Sequence, residues 1–196
     1  QGEDRILLNI GGIANFTYLP GNMNSAEIFS TDTGAGNTMM DALTQQHFTG
    51  KYFDENATIA LQGKINDALL VALKQHDFFT KPFPKTTGPE LFNLTYLQQA
   101  KKLSSTQNIS IEDTMATLNK FSADTIVDAI QKTTDAHKTY KLFSSGGGIH
   151  NPLLMKHLKE ALPNFIFDTT SALQINPDAK EAVLFAVLAN ECVCGN

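Results

Sequence analysis

The sequence has no excess of basic residues. Its 15 Lys and Arg stand against 20 Asp and Glu, a net charge of −5. No cationic stripe is present to track a phosphate backbone, which excludes nucleic acid as an expected partner. No apolar run approaches the roughly 20 residues that cross a bilayer, so no membrane partner is expected. The opening Gln1-Gly2-Glu3-Asp4-Arg5 lacks the basic-then-apolar build of a signal peptide. Cysteine is nearly missing. Cys192 and Cys194 lie too close together for a good disulfide, and no second Cys/His cluster completes a zinc site. The histidines, His47, His76, His137, His150 and His157, are scattered. The expectations are therefore no metal site in the protein, reduced thiols and a cytoplasmic location. Neither G-x-x-x-x-G-K-[ST] nor G-x-G-x-x-G occurs, which removes the two commonest nucleotide-loop signatures.

What is present suffices for one substantial core, since 42% of the 196 residues are hydrophobic. The chain does not start with methionine and enters a strand almost at once, which predicts either an engineered expression product or a natural fragment of something longer. Ile6–Ile10 reads as a buried strand, broken by Gly11-Gly12, and Ile13–Leu19 as a second. Pro20-Gly21-Asn22 signals a turn, and Ala26–Ser30 reads as a third strand. A helix follows from about Thr38 to His47. Residues 51–110 have another texture, a helical insertion with helices at Ala57–Leu61, Ile65–Lys74 and Thr95–Leu103 and a long loop from His76 to Asn93. Ser110-Ile111-Glu112-Asp113 resembles a capping box. The helix behind it carries Ala123, Ile126, Val127 and Ile130 on one face. Lys141–Ser145 is a strand, Asn151-Pro152 opens a helix, Asn164–Asp168 is a strand, and Asp178–Val193 is a helix apolar nearly all round, hence expected to be buried. Three antiparallel strands and then two in helical crossovers give an α/β protein, a mixed five-stranded sheet with helices on both faces. This order resembles a ribonuclease-H-like lobe, two of which build the actin-like ATPase fold. The chain supplies one.

Three glycine-rich segments fall at strand ends: Gly11-Gly12, Asp32-Thr33-Gly34-Ala35-Gly36-Asn37 and Gly146-Gly147-Gly148. Ligands of open sheets bind there, and glycine lets the backbone approach a phosphate or a base. Asp32 can take a proton from a substrate, with the following helix start favouring an anion; it can equally cap a turn. Asn9 and Asn15 flank the first glycine pair, either to bond a phosphate or water or to brace a hairpin. Glu181 opens the last helix, complementing its N-terminus or facing a cleft. In the Phe83–Asn93 stretch, Lys85 and Glu90 can meet an anion or a sugar hydroxyl, or the loop can be self-packed around Phe83 and Phe92.

LNIGGIAN (Leu8–Asn15), DTGAGN (Asp32–Asn37), PKTTGPELFN (Pro84–Asn93), ATL (Ala116–Leu118), GGGIHNPLLM (Gly146–Met155) and DAKEAVLFAVLA (Asp178–Ala189) together resemble the C-terminal half of anhydro-N-acetylmuramic acid kinases. The resemblance covers essentially the whole chain. It implies a single C-terminal lobe, residues 1–196, of a two-lobed sugar kinase of the actin-like superfamily, with the N-terminal lobe absent from this sequence. Such a kinase opens 1,6-anhydro-N-acetylmuramic acid with water and phosphorylates the freed 6-oxygen, in peptidoglycan recycling. The implied partners are an amino sugar, ATP with Mg²⁺, the other lobe and a second copy in a homodimer. Asp32 would be the catalytic base. Gly11, Gly12, Gly146, Gly147, Gly148 and Asn151 would meet the nucleotide, and Asn15 and Glu181 the sugar. Ala35 stands where the family usually has proline and Pro89 where it has arginine, so no sugar contact is assigned to the Pro84–Asn93 loop. A lobe alone is expected to be inactive and to bind ATP weakly or not at all. The alternatives are a free-standing, non-catalytic nucleotide- or sugar-binding lobe and an actin-like chaperone ATPase lobe.

Overall fold

The structure is a computed structural model that describes residues 2–174, 176 and 180–195, the side chains of Lys180, Glu181 and Leu184 excepted. Its centre is a five-stranded sheet in the order β3-β2-β1-β4-β5. The strands are β1 (Arg5–Ile10), β2 (Ile13–Leu19), β3 (Phe29–Ala35), β4 (Tyr140–Ser145) and β5 (Phe165–Thr169). The hairpin partners β1, β2 and β3 run antiparallel, and β4 and β5 join parallel to β1. Alternation sets the faces. Ile6, Leu8 and Ile10 of β1 and Ala14 and Phe16 of β2 are fully buried, while their neighbours in each strand are half-exposed.

The helices are α1 (Thr38–His47), α2 (Asp67–Leu73), α3 (Leu94–Leu103), α4 (Ile111–Thr133), α5 (Pro152–Ala161) and α6 (Lys180–Cys194). The long α4 belongs to two cores. Its second half sets Ala123, Ile126, Val127 and Ile130 on the sheet beside Leu154 and Leu158 of α5. Its first half sets Met115, Leu118 and Phe121 into a cluster with Met39, Leu69, Phe78, Phe92 and Leu97. The 51–110 insertion is thus welded to the sheet through α4. Ser110 caps α4 by accepting from Asp113 N at 3.0 Å. The Asp113 carboxylate does not return the favour; it accepts from Lys64 N at 2.7 Å and ties the insertion to the cap.

Three expectations need correction. Ala26–Ser30 is not the third strand: Ser25–Glu27 forms a 3-10 turn, and β3 starts at Phe29 and runs through Asp32 to Ala35. The glycine that suggested a loop is absorbed by a bulge, where the pairing shifts between Ala14 and Asn15 and Gly34 takes φ +141°. The helix read at Ala57–Leu61 is two 3-10 turns, Glu55–Ala57 and Ala60–Gln62. Asp54 splits them by accepting from Ile59 N at 2.8 Å and Ala60 N at 2.9 Å, while Asn56 and Ala57 take positive φ. Finally, α6 is not buried. All its described side chains from Ala182 to Cys194 are exposed, Phe185 at 68%. Its apolar sequence states a need for cover that no described element meets.

Candidate active site at the sheet edge

The pairing register lines up Asp32, Asn15, Asn9 and Ser145 as direct neighbours across β3, β2, β1 and β4. Direct partners project from the same face, so four polar side chains form one row. Ser145 Oγ donates to Asn9 Oδ1 at 3.3 Å. All three glycine segments converge beside this row. Gly36 N donates to Gly12 O at 2.8 Å and Asn37 N to Gly11 O at 2.9 Å; Thr38 donates to Gly12 O through both N and Oγ1. A Cβ on Gly36 would lie 2.3 Å from Gly11 O, so only glycine permits this seam. Gly146 has φ +84°, and a Cβ there would lie 2.7 Å from Ile10 O and 2.9 Å from Asn9 Oδ1. Ser122 of α4 locks the assembly from below, donating to Gly36 O at 2.8 Å.

This seam corrects one expectation. The amides leading into α1 do not wait for an anion: Gly36, Asn37 and Thr38 already donate to the Gly11-Gly12 turn. The sequence shows the glycines but not that one turn consumes the amides of the other.

Asp32 is half-buried and held from outside the sheet. The Pro84–Gly88 segment lies along β3 like an added edge strand. Asp32 N donates to Lys85 O at 2.9 Å, Lys85 N to Thr31 Oγ1 at 3.0 Å, and Thr87 N to Asp32 Oδ2 at 2.8 Å. The other carboxylate oxygen, Oδ1, accepts no bond from a described residue. Burial pushes the Asp32 pKa up, and the Thr87 N–H pulls part of that shift back. Both effects suit a carboxylate that must be charged, oriented and basic.

Lys85 does not face a ligand. It is 8% exposed, donates through Nζ to Phe78 O at 2.7 Å, and sits 4.2 Å from the Phe78 ring centre and 5.3 Å from that of Phe83. Burial, helped by Lys132 and Lys81, lowers its pKa to about 8. Cation–π contact and one carbonyl compensate part of the lost hydration. Lys85 is therefore the buried peg of the strap that bonds Asp32. Glu90 is exposed, on the side of Gly88.

Adjoining the glycine seam at Asn37 lies a cavity of about 390 Å³, within the range of small-ligand sites. Asn37, Met40 and Asp41 of the α1 start, Phe53 of the next turn, and Gly147 and Asn151 of the β4–α5 connection line it. Asn151 caps α5, its Oδ1 accepting from Leu154 N and from Asn119 Nδ2, each at 3.0 Å. Asn119 itself is fully buried on α4. Sequence reading missed Asn119, Thr87 and Asp41. The first is hidden one residue after the ATL motif; the second acts through its backbone, which leaves no trace in residue type. Of the residues read from sequence, the structure gathers Asp32, Asn15, Gly11, Gly12, Gly146, Gly147, Gly148 and Asn151 at this edge. The Glu181 side chain lies outside the described residues.

An antiparallel hairpin pair continued by parallel crossovers, with glycine turns meeting at one edge, defines a lobe of the actin-like ATPase fold. A solved structure agrees at the level of fold. The activator of 2-hydroxyisocaproyl-CoA dehydratase from Clostridium difficile, with bound ADPNP, superposes with a TM-score of 0.50 at 13% identity, over 86% of this chain and 55% of that one. The sequence family is more specific: the anhydro-N-acetylmuramic acid kinase model matches residues 1–195, and the chain belongs to that family. The anhydro-N-acetylmuramic acid kinase of Pseudoalteromonas atlantica is 52% identical over 194 residues, covering 98% of this chain and 48% of the relative. That of Pseudoalteromonas translucida is 53% identical over the same length and coverage. The chain thus spans about half the length of the curated relatives it matches.

Proposed function

We propose that this chain is the C-terminal lobe, residues 1–196, of an ATP-dependent kinase that opens 1,6-anhydro-N-acetylmuramic acid and phosphorylates it to N-acetylmuramic acid 6-phosphate, in the cytoplasmic recycling of peptidoglycan. The observation that carries the reading is the held carboxylate: Asp32, at the end of the sheet, fixed by the Thr87 amide through one oxygen and open through the other.

Asp32 acts as general base on a water molecule. The water oxygen bonds the anomeric carbon as one of its protons passes to Asp32 Oδ1. The bond from the anomeric carbon to the 6-oxygen breaks, the 6-oxygen bonds the γ-phosphorus of ATP as the bond to the β,γ-bridging oxygen breaks and ADP leaves, and the proton on Asp32 passes to solvent. Thr87 fixes the carboxylate rotamer, so little reorganisation remains at the moment of transfer. Asn15 is assigned to the sugar as the direct cross-strand neighbour of Asp32, and Glu181 is assigned the same task as a polar group at the start of the last helix. Gly11, Gly12, Gly146, Gly147 and Gly148 give the nucleotide a wall without side chains, and Asn151 stands at the cavity beyond.

Mg²⁺ comes with ATP and neutralises phosphate charge. The remaining partners in this reading are the N-terminal lobe and a second copy in a homodimer. The test is a kinase assay on the two-lobed enzyme with anhydro-sugar and ATP, beside Asp32→Asn. Loss of sugar turnover with retained ATP binding is expected. Unchanged turnover overturns the assignment of Asp32.

A further inference from the structure

The cavity beside Gly147 holds a carboxylate with nothing to do. Asp41 is half-buried on the first turn of α1, and no described residue donates a hydrogen bond to it or pairs with its charge. Two other acids line the cavity: Asp54 is spent, accepting from the Ile59 and Ala60 amides, and Glu55 is exposed to solvent. Asn151 Oδ1 is spent on Leu154 and Asn119, and Asn37 turns its amide toward Ile10 O at 3.5 Å. Burial alone lifts the Asp41 pKa to about 6, with no neighbour to bring it back. A partly desolvated, unpaired carboxylate costs stability, and a ligand that brings hydrogen-bond donors removes the cost.

We propose that Asp41 accepts the ribose 2′- and 3′-hydroxyls of the nucleotide and so makes the enzyme selective for ribonucleotides. The inference rests on the ATP reading above and adds a residue and a chemistry to it.

The chemistry selects the diol over the base. A carboxylate offers only acceptors. The pairing edge of adenine sets an acceptor nitrogen beside its amino group, so a carboxylate there would meet repulsion at one of its two oxygens. A vicinal diol presents two O–H donors to two oxygens. The rest of the cavity suits the remainder of a nucleoside. Met40 is 3% exposed and gives an apolar floor, and Phe53, 57% exposed at the rim, offers an aromatic face for a base. Gly147, also in the lining, brings no side chain into the space. The seam residues Gly36, Asn37 and Thr38 lie between Asp32 and Asp41 in the chain, and in this reading the nucleoside end is at Asp41 and the sugar end at Asp32.

The test is calorimetric binding of ATP, 2′-deoxy-ATP, 3′-deoxy-ATP and GTP to the two-lobed enzyme, wild type, Asp41→Asn and Asp41→Ala. Wild type should bind ATP about tenfold or more tightly than either deoxy analogue, the scale of one charge-assisted bond. Asp41→Ala should bring ATP down to the level of the analogues and erase the discrimination, with Asp41→Asn between. Equal binding of ATP and both analogues by wild type overturns the proposal without any variant. So does discrimination that survives in Asp41→Ala. If Asp41→Ala changes the ATP-to-GTP ratio and leaves the deoxy ratio alone, Asp41 reads the base and the ribose assignment fails. These outcomes are separate from the Asp32 assay, because binding is read without turnover. A wild-type enzyme that binds no ATP brings down the kinase reading and this inference together.

Discussion

Asp32 and Asp41 are nine positions apart, and the same seam of glycine contacts lies between them. Both are half-buried and both have pKa values raised by burial. The difference lies in their partners. Asp32 is held by Thr87 N at 2.8 Å and its strand is doubled by the Lys85 segment. Asp41 has no partner among the described residues. The first site is finished before any ligand arrives, as a base that must not wander. The second is completed by what binds. A carboxylate serving chemistry is preorganised, and one serving recognition is left short of donors.

The largest effect that can break this comparison is on chemistry. Replacing Asp32 with Asn in the two-lobed enzyme should lower kcat by about 10²- to 10⁴-fold, the usual contribution of a general base. ATP affinity should stay within about twofold, since Asp32 is on the sugar side in this reading. If ATP binding falls in step with kcat, the two carboxylates do not divide the work.

Next in size is the seam itself. Gly36→Ala forces a methyl to within 2.3 Å of Gly11 O. Backbone must move on one side or the other, and the fold should lose on the order of 3 kcal/mol in urea titrations. The seam bonds both the Gly11-Gly12 turn and the α1 start, so sugar turnover and nucleotide affinity should fall together. A variant that keeps wild-type stability shows the contact to be softer than the geometry states.

The strap comes third. Lys85→Met keeps a chain of similar length against Phe78 and Phe83 and removes the Nζ bond to Phe78 O. The Thr87 amide then has less to hold it opposite Asp32. kcat should fall about tenfold with both KM values unchanged, the pattern of a group that matters only in the transition state. A rise in KM for ATP with kcat intact would place the strap on the wrong side of the seam.

These predictions rest unevenly on what the sequence disclosed. The hairpin, α1 and the α4 stripe follow from alternation and helical spacing, and β2 and α1 fall where the pattern puts them. The convergence of three glycine segments was legible because strand ends of one sheet share an edge. The strap was not. Thr31 and Asp32 meet Lys85 and Thr87 more than fifty residues away, mostly through backbone atoms, and backbone bonds are blind to residue type. Lys85 misled for a related reason: a lysine in a loop reads as an exposed cation until three phenylalanines close over it. Apolar α6 misled in the opposite direction, since composition says what a helix needs and not whether the chain at hand supplies it.

The smallest effect is the sharpest, because it has opposite signs for stability and for binding. Folding raises the Asp41 pKa from 3.8 to about 6, so between those values the folded state binds more protons than the unfolded one. Stability therefore falls as pH rises through this window and stays lower above it. About 2 pH units at about 1.36 kcal/mol each set a ceiling near 3 kcal/mol. Solvent reaching the half-buried group reduces this to about 1–2 kcal/mol. Asp41→Asn removes the charge, so it should stabilise the protein by that amount at pH 7.5 and by little at pH 4, read from urea midpoints. Nucleotide binding should move the other way. The charged form accepts the hydroxyls, so wild-type ATP affinity should weaken as pH drops below about 6. Asp54, Glu55 and His150 face the same cavity, and the part of the pH dependence missing from Asp41→Asn is the part that belongs to Asp41. A variant both more stable and poorer at binding ribonucleotides is what a carboxylate kept for a ligand must give, and one that is less stable and binds unchanged would make Asp41 a structural residue like Asp54.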